Sequence, residues 1–110
     1  MKNFKISCVQ IASGPNLEAN LLEVSKYIEK SKKLGANIVV LPENFAMISE
    51  DDSMYLGIKE NLGSGRIQDY ISNEARKYNI WIIAGTIPIK SKVEGKVYSC
   101  CIVFNNKGDI

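Results

Sequence analysis

The chain has 110 residues, 45% hydrophobic and 24% charged, with 14 Lys and Arg against 12 Asp and Glu. That suffices for one domain with its own core, and the mixture is that of a globular protein rather than a disordered tail or a coiled coil. A net charge of +2, with the Lys residues scattered and no aromatic stripe among them, argues against nucleic acid as a partner. No apolar run is long enough to cross a bilayer.

Phe4 to Ile11 reads as a strand, followed by a Ser13-Gly14-Pro15 turn. Asn16 is a plausible N-cap for a helix in which Leu17, Leu21, Val24, Ile28 and the more distant Leu34 recur at helical spacing. Lys30, Lys32 and Lys33 crowd its end and Gly35 follows, a usual stop. Ile38 to Leu41 is apolar at every position, as in a parallel strand covered on both faces, so the first three elements form a right-handed βαβ unit. Residues 44 to 64 form a long loop with one helical turn at most. Its cluster Glu50-Asp51-Asp52 lacks the spacing of a calcium loop and reads as solvated.

Ser64-Gly65 opens a second helix whose buried stripe is Ile67, Tyr70, Ile71, Ala75 and Tyr78, with Asn79 as a left-handed stop. Ile80 to Ile87 is a further covered strand, and Val97 to Asn105 a fourth. Asn106-Lys107-Gly108-Asp109 is a reverse turn from which Ile110 starts a returning strand. The expected order is β-α-β-α-β-β in one α/β domain over residues 1–110. Two helices cover only one face of a sheet, so the other face needs a further layer, from later residues or from another chain. The domain therefore reads as incomplete, and as a partner in a homo-oligomer or in association with a missing C-terminal portion.

Glu43 is the candidate site residue. It follows an apolar strand at the rim where open parallel sheets handle ligands, and Pro42 fixes how the chain leaves the strand. A carboxylate there suits proton transfer. Cys8, Cys100 and Cys101 all fall in strand patterns and read as small buried apolar side chains. With no His and no CxxC, neither a zinc site nor a Ser-His triad is available, and no metal or organic cofactor is expected. Gly63-Ser64-Gly65-Arg66 at a helix start offers either an anion site or a cap, and the cap is favoured because no phosphate-loop Lys follows. A flavodoxin-like phosphate binder is disfavoured by Pro15 in the first loop and by the lack of GxGxxG. Reduced Cys and no apolar leader after Met1 suggest the cytoplasm.

Several phrases together carry a resemblance. Gln10 in the first strand, Asn20 in the first helix, Gly35-Ala36-Asn37-Ile38-Val39-Val40-Leu41-Pro42-Glu43, Trp81-Ile82-Ile83-Ala84-Gly85-Thr86, Tyr98 and Gly108-Asp109 resemble the N-terminal part of the nitrilase superfamily of carbon–nitrogen hydrolases. Leu41 to Ala46 and Gly85-Thr86-Ile87-Pro88 are most similar to its amidase branch, which includes deaminated-glutathione amidase and ω-amidase. The resemblance implies an α-β-β-α sandwich and a Glu-Lys-Cys catalytic set acting on a small-molecule amide through a thioester. Glu43 would be its general base, while the Lys and Cys lie beyond Ile110. Lys107, in the turn itself, is not the catalytic Lys. On this reading the chain alone is inactive; the alternative is a non-catalytic remnant or interaction module with the same fold.

Overall fold

The computed structural model of the protein describes residues 3–110. Its elements run β1 (Ile6–Cys8), α1 (Leu17–Lys33), β2 (Ile38–Leu41), α2 (Ser53–Ile58), α3 (Arg66–Tyr78), β3 (Trp81–Ala84), β4 (Ile87–Lys90), β5 (Val97–Cys100) and β6 (Val103–Phe104). Asn16 starts α1 as expected: its backbone is extended and its side chain accepts the Ala19 N–H at 3.0 Å. Leu21, Val24 and Ile28 are buried against the sheet. Leu34 is exposed instead, because the helix ends at Lys33 and Gly35 turns the chain with φ +87°. Lys5 and Lys32 donate to the carbonyls of Leu34 and Asn79, serving oxygens that helix ends leave without partners.

Three parallel strands and one antiparallel strand form a sheet in the order β1-β2-β3-β6. Register places Val39, Ile82 and Phe104 in one row, with Leu41 and Ala84 beside them, and all five are buried on the side of α1 and α3. The opposite face carries the rows Ile6-Ile38-Trp81 and Cys8-Val40-Ile83-Val103. There Ile6, Trp81 and Val103 are 56%, 46% and 40% exposed, so β2 and β3 are covered on one face rather than on both. Two helices make one layer, and no other described residues lie over that face.

The strand order departs from expectation in the second half. The run from Ile80 to Ile87 is two strands, split at Gly85-Thr86, and Val97 to Asn105 is two strands, split at Cys101-Ile102. The first split carries the chain out of the four-stranded sheet and the second returns it there as β6, while between them β4 and β5 pair with each other in a separate antiparallel ribbon. The long loop contains the six-residue α2, and β1 is shorter than residues 4–11, with only Ile6 to Cys8 in register with β2. The order is therefore β-α-β-α-α-β-β-β-β. Continuous β-branched sequence hides such a break, since the kink is set by what the glycine must pass.

The start of α3 explains Gly63 to Arg66. The Glu60 backbone pairs with β4, its N–H donating to Pro88 and its carbonyl accepting from Lys90. Its buried carboxylate turns back to accept the N–H groups of Ile67 at 2.6 Å and Gln68 at 3.1 Å, and the Gln68 side-chain amide at 3.1 Å. The anion that a helix N-terminus attracts is thus supplied by the chain itself, and the motif is a cap. At the far end Asn79 adopts the left-handed conformation (φ 50°, ψ 53°), the stop read from sequence. The Asn106 to Asp109 turn also forms, with Asn105 Oδ1 accepting the N–H groups of Lys107 and Asp109.

Candidate active site

The chain leaves β2 through a segment held on both sides. On the β3 side, Gly85 (φ +40°) lies so close to the Pro42 carbonyl that a Cβ there would come within 1.9 Å of its oxygen. Next to it, the Thr86 hydroxyl accepts the N–H of Asn44 at 2.9 Å, and Asn44 itself has φ 52°. On the β1 side, Ser13 donates to the Phe45 carbonyl at 2.6 Å. Asn20, buried at the start of α1, donates to the carbonyls of Ala46 at 2.8 Å and Gly14 at 2.7 Å and accepts the Gly14 N–H at 3.0 Å. Phe45, Ala46 and Met47 are buried beneath. The backbone that presents Glu43 is therefore fixed by paired polar groups and an apolar anchor, the kind of rigid support a reacting group needs.

The Glu43 side chain projects from this support into solvent. It is exposed, and it has no hydrogen bond or ion pair with another described residue. None of the described side chains covers it from water. Beside it, Asn44 borders a cleft of about 380 Å³ between α2 and the β4–β5 ribbon.

The other candidates separate. Cys8 and Cys101 are exposed and Cys100 is half-buried, so the expectation of buried apolar fillers fails for the first two; Cys8 faces the uncovered side of the sheet. Asp51 accepts the N–H and hydroxyl of Ser53, which hold its carboxyl below the usual carboxylate range; it is a local turn anchor on the surface. Among the described residues no group of three or more His, Cys, Asp or Glu is placed to hold a metal ion, and no helix is long and apolar enough to cross a membrane. Sequence reasoning assigned no role to Glu60, Asn20 or Thr86. For Asn20 a signal existed, an amide on the buried face of an amphipathic helix; for Glu60 none did, because its partners lie seven and eight residues ahead.

Comparison with known proteins agrees with this architecture. The profile of the carbon-nitrogen hydrolase family matches residues 5–110. The chain is 31% identical over 109 residues to nitrilase homolog 2 of Dictyostelium discoideum, covering 99% of this chain and 33% of that protein. It is 28% identical to deaminated glutathione amidase of Yersinia enterocolitica, covering 100% of this chain and 38% of the relative. The crystal structure of Saccharomyces cerevisiae Nit3, a member of branch 10 of the nitrilase superfamily, superposes with a TM-score of 0.83 at 29% identity, over 97% of this chain and 41% of that one. The chain thus spans between 33% and 41% of the length of these proteins. The mixed α/β architecture is that of the N-terminal part of the α-β-β-α sandwich, and with the family profile matched from Lys5 to Ile110 the chain belongs to the carbon–nitrogen hydrolases of the nitrilase superfamily.

Proposed function

We propose that this chain supplies the general base, Glu43, of an enzyme that hydrolyses a small-molecule amide to an acid and ammonia. The observation that carries the reading is the placement of the Leu41-Pro42-Glu43 phrase: a carboxylate at the C-terminal rim of a parallel sheet, on backbone clamped by Gly85 and Thr86 from one side and by Ser13 and Asn20 from the other. Glu43 accepts the proton of a Cys thiol, and the thiolate attacks the amide carbonyl. The proton passes to the nitrogen as the carbon–nitrogen bond breaks and ammonia leaves. Water, deprotonated by the same carboxylate, then cleaves the thioester. A Lys ammonium offsets charge developing on the carbonyl oxygen. The Lys and Cys belong to positions outside these 110 residues; Cys8, Cys100 and Cys101 do not take the nucleophile's part, and Lys107 is held in the terminal turn, where its carbonyl accepts from Arg76. No metal or organic cofactor enters.

The test is ammonia release from small amides. The 110-residue chain alone releases none; release that disappears in Glu43→Gln overturns that part of the proposal. In a polypeptide that also carries the Lys and Cys, Glu43→Gln lowers kcat by about 10²–10⁴ with KM little changed. A loss of less than about tenfold there removes Glu43 from the base's role. The second reading, a non-catalytic module, draws on the uncovered apolar face and the solvated state of Glu43.

A further inference from the structure

The cleft beside Asn44 has a chemical character of its own. Leu56 and Pro88, Val97 and the ring of Tyr55 give it apolar walls. The Tyr55 hydroxyl is already engaged, accepting the Ser49 N–H at 3.1 Å and donating to the Ser49 carbonyl at 3.3 Å, so that side chain offers the cleft only its ring. The Ser53 hydroxyl, also at the wall, donates to Asp51 at 2.7 Å. The polar groups left over are the side-chain nitrogen of Asn44, whose Oδ1 accepts from the Thr86 hydroxyl at 3.5 Å, the Ser99 hydroxyl and the carboxylate of Asp52, which precedes α2 without making a capping hydrogen bond. Among the described residues no Lys or Arg lines the cleft.

We propose that this cleft receives the non-reacting end of the amide substrate, and that this end is an uncharged, apolar-bodied chain rather than a carboxylate. The inference rests on the reading of Glu43 as the base, since Asn44 joins the two: it is the residue after Glu43 and part of the cleft wall. A cleft of about 380 Å³ is at the lower end of small-ligand sites, right for a short acyl chain. Apolar walls gain from burying methylene groups. A carboxylate carried into the same space would lose its water without meeting a cation, and would face Asp52; such an unpaired charge is the strongest means a site has of rejecting a ligand.

The experiment is a binding titration of the ¹⁵N-labelled chain, needing no turnover. Hexanamide is compared with adipamate, a chain of equal length that ends in a carboxylate. Hexanamide shifts the backbone amides of Tyr55, Leu56, Val97 and Ser99 saturably, and adipamate binds at least about tenfold more weakly. Val97→Asp abolishes the hexanamide response, and Asp52→Lys, on an exposed side chain without a structural contact, narrows or reverses the preference. Equal or tighter binding of adipamate, shifts confined to other residues, or no saturable response up to the solubility of hexanamide would overturn the proposal. Failure here with Glu43-dependent turnover intact sinks only the assignment of the cleft; binding as described with turnover indifferent to Glu43→Gln sinks only that of the base.

Discussion

Replacing Gly85 by Ala tests the clamp on the Glu43 segment most directly. A Cβ built on Gly85 lies 1.9 Å from the Pro42 carbonyl oxygen, 2.6 Å from its carbon and 2.8 Å from the Leu41 oxygen. All three atoms are main chain, so none can swing aside, and β2 must part from the loop after β3. The backbone angle adds to this, because φ is +40° and a left-handed conformation costs a residue with a Cβ about 1–2 kcal/mol. Forcing atoms into a packed region costs about 1–3 kcal/mol more, so Gly85→Ala should lose about 2–5 kcal/mol. That is a large part of the roughly 5–15 kcal/mol by which domains are stable. Gly95→Ala is the control: φ there is +77°, but nothing lies within 4 Å of the added carbon, so only the backbone cost of about 1–2 kcal/mol applies. Urea unfolding followed by far-ultraviolet circular dichroism measures both, and amide exchange at Asn44 should quicken in Gly85→Ala alone as its bond to Thr86 opens. Equal losses in the two variants, or a loss under about 0.5 kcal/mol for Gly85→Ala, would show that the close approach to Pro42 does not exist in solution.

Two further outcomes are expected. Glu60→Ala deprives the Ile67 and Gln68 N–H groups of a charged acceptor in a buried setting and should cost about 3 kcal/mol, whereas Glu60→Gln, which keeps one acceptor oxygen, should cost less; urea midpoints showing no difference from the parent would refute the internal cap. Arg66 donates to Glu18 at 2.7 and 3.0 Å and holds that carboxyl below its ordinary range. A carboxyl lowered in the folded state adds stability above its unfolded pKa of about 4.3 and loses it as the pH falls through the lower folded value. In an NMR titration Arg66→Ala should therefore raise the Glu18 midpoint toward the ordinary value, and an unchanged midpoint would mean the exposed pair does not persist.

What could be read in the sequence was local. Asn16 and Asn79 were legible as helix ends because a cap depends on a few adjacent residues, and Leu21, Val24 and Ile28 because spacing alone defines a face. The break at Gly85 was not legible, since the reason for it is a carbonyl of Pro42 more than forty positions earlier in the chain. Leu34 obeyed the helical spacing but lay beyond the helix end. Cys8 and the β2 and β3 strands looked buried because composition records how apolar a strand is, not whether a layer lies over it. Glu43 was legible in position, at the end of an apolar strand, while its exposure was not, because what covers a side chain is set by residues distant in the chain.

Trp81 lies in the uncovered row between strands, next to Ile38, and is the single tryptophan of the chain. Because Trp81 is already 46% exposed as a residue in the folded state, its emission should shift little on denaturation, making fluorescence an insensitive gauge of melting. The same placement makes it a selective optical beacon: only a second layer settling on that side of the sheet would dry the ring and move its emission to the blue.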